Sequence, residues 1–374
     1  MNEGGMMRLS GMVRKEWLQV FRDPSSIAIA FVLPLLLLLI FGYGVSLDAR
    51  NVPVAVVLEE PGPQGLNFSG GFFHSPYFAP VVTPSIQEAE ALLRANRVDG
   101  IIWLRANFER DYLNRGSPPM SVIVNGVDAN TGRLVQNYIQ AIWYGWLEQQ
   151  AERAGRTLQA PVALEQRIWF NPQIRSTDFL VPGVLAVIMT LIGALLTALV
   201  ITREWERGTM EALLVTRISV NELLLGKLIP YFILGMGGLT LSLVMARFLF
   251  HVPMRGSLWL FIATSALFLL VALGMGLFIS TMVRSQFVAS LIAMISTFLP
   301  AFILSGFIFD IRSVPPVIQA VTHLIAARYY VSILQTLFLV GDVWSVIVPN
   351  ALALAVMAVF FLGLVYRRTR KNLE

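Results

Sequence analysis

Acidic and basic side chains crowd into residues 202–228, which read TREWERGTMEALLVTRISVNELLLGKL. Arg203, Glu204 and Glu206 come first, followed by Gly208-Thr209, Glu211 and the apolar set Met210, Leu213 and Leu214. Ser219 stands three residues before Glu222, the spacing of a reciprocal helix cap, so two short amphipathic helices fit the stretch. So many leucines and acids suit a contact with a partner at a membrane face rather than a passive connector. The three histidines, His74, His251 and His323, lie far apart, and the H-E-x-x-H spacing of a metal site does not occur. There is no G-x-S-x-G elbow, and Gly226-Lys227 is followed by Leu228, with Asn221 where a phosphate-binding loop needs glycine. No catalytic or metal-binding residue is therefore assigned, and the chain is not expected to hydrolyse ATP by itself.

The elements that hold this stretch are membrane helices. Of the 374 residues 56% are hydrophobic and 14% charged, against about a quarter charged in soluble domains. A bilayer core needs about 20 apolar residues per helix. Six runs meet that length, at 27–47, 179–201, 228–250, 258–283, 287–309 and 346–366. The first is too long for a cleaved signal and lacks a small-x-small cleavage pattern, so it is expected to stay as an anchor. Basic clusters flank the runs: Arg8, Arg14, Lys15 and Arg22; Arg203, Arg207, Arg217 and Lys227; Arg367, Arg368, Arg370 and Lys371. The positive-inside rule puts all three clusters, and both termini, in the cytoplasm. The net charge of +5 is then a topology signal, and nucleic-acid binding is not inferred.

The expected fold is an α-helical integral membrane protein, with six transmembrane helices, an inserted extracytoplasmic α/β domain and re-entrant helices before the last span. Residues 1–26 form a cytoplasmic amphipathic interfacial helix, in which Leu9, Val13, Trp17 and Phe21 recur every four residues, and Asp23-Pro24 breaks it. Transmembrane helix 1 follows at 27–47, then the extracytoplasmic domain at 48–177 and helices 2 to 6 within 178–366. In the domain, strands are expected at 52–58, 100–104 and 120–124, and helices at 85–94, 107–114 and 129–153. Residues 61–84 read as a Gly-, Pro- and Phe-rich loop whose Phe68, Phe72, Phe73, Tyr77 and Phe78 either contact substrate or a partner or pack among themselves. Segment 310–345 is apolar but contains Gln319, His323, Arg328 and Gln335, and a mid-membrane charge costs at least about 2.5 kcal/mol. It is expected to dip into, or lie along, the outer membrane face. A basic cytoplasmic tail, 367–374, ends the chain. With no cysteine, the extracytoplasmic domain must hold together by its core alone.

The run Arg203 to Leu214, with Asn221 to Lys227 after it, resembles the signature of the type-2 ABC exporter permeases, an R-E-x-E-x-G-T-x-E-x-L-L core followed by E-L-L-x-G-K. The resemblance extends to the R-D-P turn at Arg22-Asp23-Pro24 and to the order of elements, and is greatest to the bacterial multidrug-type subgroup with a large periplasmic domain. It implies a subunit that pairs with a second permease half, identical or related, and with an ABC ATPase subunit. The subgroup also suggests a periplasmic adaptor and an outer-membrane channel as partners. On this basis Arg203, Glu204, Glu206, Gly208, Thr209, Glu211, Leu213, Leu214, Glu222, Gly226 and Lys227 are the expected ATPase-coupling residues. The chain binds no cofactor in this reading, and ATP and magnesium are used by the partner. The expected role is outward movement of an amphipathic or hydrophobic substrate, such as a drug or lipid-like molecule, across a bacterial inner membrane. The uncharged middles of the spans weigh against coupling to an ion gradient. A membrane-anchored sensor or scaffold with a ligand-binding external domain is the alternative, though it would need fewer spans.

Overall fold

The structure is a computed structural model that describes residues 3–44, 51–115, 120–125, 129–153, 175–210, 218–309 and 311–371. In chain order its helices are α1 (Glu3–Phe21), α2 (Pro24–Gly44), α3 (Pro63–Phe73), α4 (Ile86–Arg94), α5 (Phe108–Arg115), α6 (Ala129–Arg153) and α7 (Ser176–Glu206). Then come α8 (Val220–Phe248), α9 (Leu258–Met282), α10 (Gln286–Leu304), α11 (Pro316–Thr322), α12 (Ala326–Val340) and α13 (Trp344–Lys371). The strands are β1 (Val52–Leu58), β2 (Phe78–Thr83), β3 (Gly100–Leu104) and β4 (Met120–Val124). The chain divides into two compact units, Leu47–Arg167 and the remainder.

In the larger unit, six helices are long and apolar enough to cross a membrane: α2, α7, α8, α9, α10 and α13. They correspond to the six runs expected from sequence. α7 is the central one and is buried along almost its whole length. It packs most closely on α9, where Gly193 faces Ala272 and Gly276 lies against the Ala194 carbonyl. Small residues bring the two backbones near enough for Thr197 Oγ1 to donate to the Leu273 carbonyl at 2.9 Å. Further along, Ser280 Oγ accepts from the amides of Ile201, at 2.9 Å, and Thr202, at 3.1 Å. α8 meets α2 in the same manner, with Gly238 against the Ala30 carbonyl.

α11 and α12 meet at 87° across a short break. Arg328 stabilises the break, because its Nη1 donates to the Gln319 carbonyl at 3.2 Å and to Thr322 Oγ1 at 2.5 Å. α12 packs against α7, α9 and α13, and Tyr330 is fully buried, stacked on Phe268 at 4.2 Å.

In the smaller unit the sheet order is β2-β1-β3-β4, with β1 parallel to both β2 and β3, and β4 antiparallel to β3. Val54 and Val56 of β1 join Phe68, Phe72, Ile139 and Trp146 on one face of the sheet, while Ala55, Val57 and Ile101 meet Ala89 and Val98 on the other. Burial on both faces explains why β1 is apolar along its whole length. Residues 61–84 are largely regular, not a loop. Gly62-Pro63 opens α3, proline being well suited to a first helical position. Phe68 and Phe72 fall four apart on its buried face, and β2 follows. Gly70 and Gly71 lower the helix propensity and hid α3, although Gly71 serves close packing against Ile142 of α6. Phe68, Phe72 and Phe78 are core residues; Phe73 and Tyr77 are the exposed ones.

A methyl group at Gly276 would overlap backbone atoms of α7. Gly276→Ala should therefore destabilise the purified protein by about 1–3 kcal/mol, the usual cost of overpacking. A thermal melt in detergent measures it, and an unchanged midpoint would refute the close α7–α9 approach.

Candidate functional site

Five elements converge at one end of the larger unit: α1, the start of α2, the end of α7 and the starts of α8 and α10. Amphipathic α1 buries Met12, Glu16 and Val20, four residues apart, with Leu9, Val13 and Trp17 half-buried beside them. A carboxylate on a helix's buried face requires a counter-charge. Lys227 of α8 supplies it, its Nζ lying 2.7 Å from Glu16 Oε1 and 3.2 Å from Glu204 Oε1. Lys15 approaches the same Glu204 oxygen at 2.7 Å from the solvent side. Glu16 and Lys227 are each 1% exposed and Glu204 3%, so the two carboxylates and the Lys227 ammonium are nearly dry, and the exposed Lys15 balances the remaining charge from the edge. Gly226 makes the approach possible, since a side chain there would strike Met12.

Two further ion pairs flank the cluster. Arg203 Nη2 lies 2.6 Å from Asp23 Oδ2, and Arg8 Nη2 lies 3.1 Å from Glu222 Oε1. Asp23 also caps the first turn of α2, accepting from Ser25 Oγ and Ser26 Oγ at 2.6 Å each. Burial opposes ionisation of Asp23, but those hydrogen bonds and the Arg203 charge outweigh it and hold its pKa down to about 2. Glu222 completes the capping box with Ser219 that the spacing predicts.

α7 continues past the apolar run to Glu206 and then stops at Gly208, whose φ of +66° is a helix-terminating conformation that favours glycine. Two side chains tie this end to its neighbours. Thr209 donates to the Glu204 carboxylate. Glu206 accepts from the Gln286 amide at 2.7 Å, and from the Gln286 side chain, at the first residue of α10. Ser285, in the capping position of α10, makes no such bond from its own side chain to the backbone, so α10 is capped by the carboxylate at the end of α7.

The structure thus brings together Arg203, Glu204, Glu206, Thr209, Glu222, Gly226 and Lys227, with Gly208 at the turn. Arg203, Glu204, Glu222 and Lys227 are buried in ion pairs, whereas Glu206, Gly208 and Thr209 are exposed. Glu211, Leu213 and Leu214 lie outside the described residues. Sequence reasoning missed Lys15, Glu16 and Gln286 as partners and took Asp23 for a helix breaker alone. Glu16 was detectable, because it sits between Met12 and Val20 at helical spacing.

Fold and site define a polytopic helical membrane protein with a large inserted α/β domain and a motif that locks an amphipathic helix to its bundle. The chain belongs to the ABC-2 family transporter proteins, whose family model matches residues 24–367. It is 46% identical over 368 residues to the probable multidrug ABC transporter permease YbhS of Escherichia coli strain K12, covering 98% of each chain. Two other proteins of that strain are more distant. The probable multidrug ABC transporter permease YbhR is 26% identical over 91% of this chain and 94% of its own, and the inner membrane transport permease YhhJ is 28% identical over 91% and 93%. This chain is accordingly a transport subunit of the permease type, and membership implies an ATPase partner.

Removing one partner of a buried pair costs roughly 3–5 kcal/mol, whereas replacing both by apolar groups costs far less. Lys227→Met should destabilise by that order, and Glu16→Leu with Lys227→Met by less than the two single changes combined. Thermal melts of the three variants test the coupling, and strict additivity would contradict it. Because folding depresses the Asp23 pKa, its contribution is full above the ordinary value of 3.8 and fades as pH falls toward about 2. The melting temperature should drop across that window, and less steeply in Asp23→Asn.

Proposed function

We propose that this chain is the membrane-spanning half of an ATP-driven exporter, and that the Arg207–Met210 turn is where a separate ATPase subunit applies force. One observation carries this reading: Thr209 in the turn and Glu206 just before it are bonded through their side chains to the buried ion cluster and to the start of α10. A displacement of Thr209 acts on Glu204, and through Lys227 and Glu16 on α8 and α1. A displacement of Glu206 acts on the start of α10. Because α7 and α9 are too tightly packed to slide, motion passes outward to α1, α2 and α10.

In this reading both termini and the turn are cytoplasmic, the membrane is a bacterial inner membrane, and the inserted domain is extracytoplasmic. The partners are an ABC ATPase using ATP and magnesium, and a second permease half, identical or related. The path between two such halves would be apolar, lined by spans whose middles are uncharged, which suits an amphipathic or hydrophobic substrate. That two relatives are named as probable multidrug permeases supports this class.

The chain has no cysteine, so a single Arg207→Cys reports on one position. A membrane-impermeant maleimide should label it in inside-out vesicles and not in intact spheroplasts; labelling from outside would end the proposal. Glu206→Ala should leave the ATPase chain co-purifying and hydrolysing ATP while export falls at least about tenfold, the scale of one lost charge-assisted hydrogen bond. Unchanged export would remove Glu206 from the force path.

A further inference from the structure

A groove of about 760 Å³ runs beside the carboxyl-terminal half of α1, and of its cations only Lys15 belongs to the ion cluster. Arg14 and Lys15 line it from α1, Arg22 from the turn that follows α1 and Arg207 from the turn after α7, and Leu18 lies among them. Lys15 is engaged by Glu204, and Asp23, the groove's carboxylate, by Arg203, Ser25 and Ser26. Among the described residues Arg14, Arg22 and Arg207 have no ion-pair partner. The groove therefore presents three uncompensated guanidinium groups around an apolar side chain.

Its depth follows from the chain path. Arg22 and Asp23 immediately precede Pro24, where the first membrane-length helix begins. Leu18 and Phe21, 50% and 63% exposed, project from the same turns, as apolar residues do on helices resting at a bilayer surface. Guanidinium groups match phosphate oxygens in pairs, and at headgroup depth the phosphate within reach is that of a phospholipid. We infer that this groove is a binding site for the phosphate of an anionic phospholipid, with Leu18 against its glycerol and upper acyl carbons. An acidic protein segment would satisfy the charges, but it gives Leu18 and Phe21 no role. Since α1 is tied to α8 through Glu16 and Lys227, an occupied groove holds α1 down and makes the lipid part of the mechanical linkage.

The full-length chain in detergent would be titrated with short-chain phosphatidylglycerol or phosphatidylcholine, and bound lipid counted by native mass spectrometry. Each surface cation contributes about fivefold to anionic-lipid affinity. The triple variant R14Q/R22Q/R207Q should bind phosphatidylglycerol at least about tenfold more weakly than wild type, while R367Q/R368Q should not. None of the three arginines is paired among the described residues, so the melting temperature should not change, which separates lost binding from lost folding. Equal binding of the two lipids, undiminished binding by the triple variant, or displacement by inorganic phosphate would each overturn the proposal. A triple variant that keeps its lipid but no longer retains the ATPase chain would reassign the groove to an acidic partner.

Discussion

Three charged groups that cannot leave the protein interior independently organise the functional end of this molecule. Glu16, Glu204 and Lys227 come from α1, α7 and α8, and each is at most 3% exposed. Separating any one would strand a buried charge, at a cost comparable to much of a domain's net stability. The three helix ends consequently behave as one body, and Gly226 allows the approach that the ion distances demand. The exposed turn is joined to that body through Thr209 and to α10 through Glu206, so it has little freedom to move without them.

Stiffness and compliance are unevenly distributed around this body. α7, α8 and α9 are regular and interlocked by glycine contacts and by the Thr197 and Ser280 hydroxyls. The wide π turns among the described residues fall instead in α2, at Ala28–Val32 and Ile40–Gly44, in α10, at Met294–Phe298, and in α12, at Thr336–Val340. Such turns mark places where a helix deforms at small cost, and in α10 Pro300 follows closely. The element capped by the end of α7 thus carries a bending point within its span. In the proposed exporter, a tilt imposed at Gln286 would be absorbed there, and the outer end of α10 would stay with the α11–α12 pair.

Six spans, the strands β1, β3 and β4 and the helix over Ala129–Arg153 were legible because length and apolar continuity alone specify them. α3 and β2 were not. A glycine pair and a proline make their local sequence look irregular, and only contacts with α6 and β1 show why those residues are tolerated. The motif at 203–227 was legible as a motif but not as a structure. Its acids and bases suggest an outward-facing handle, yet Arg203, Glu204, Glu222 and Lys227 point inward, because their partners lie some 200 residues away in α1 or beside the first span. Pattern reading along one segment cannot supply a counter-ion from another. The exception was Glu16, where the stripe of α1 itself contradicts a solvated carboxylate.

That division of charges also changes what the basic residues at this end mean. Counting lysines and arginines treats each as one vote for the cytoplasmic side. In the folded protein Arg8, Lys15, Arg203 and Lys227 are neutralised by Glu222, Glu204, Asp23 and Glu16, and contribute almost no field at the membrane surface. The field comes from the unpaired set, in which Arg14, Arg22 and Arg207 stand beside one groove. Paired cations set the geometry of the linkage, while unpaired ones are left to attract what lies outside it. A segment whose charges were all paired would be rigid but indifferent to its surroundings, and one whose charges were all free would bind the surface without transmitting force. Between them α1 and the turn after α7 carry both kinds, so in the proposed exporter one region would hold to the membrane and also follow the motor.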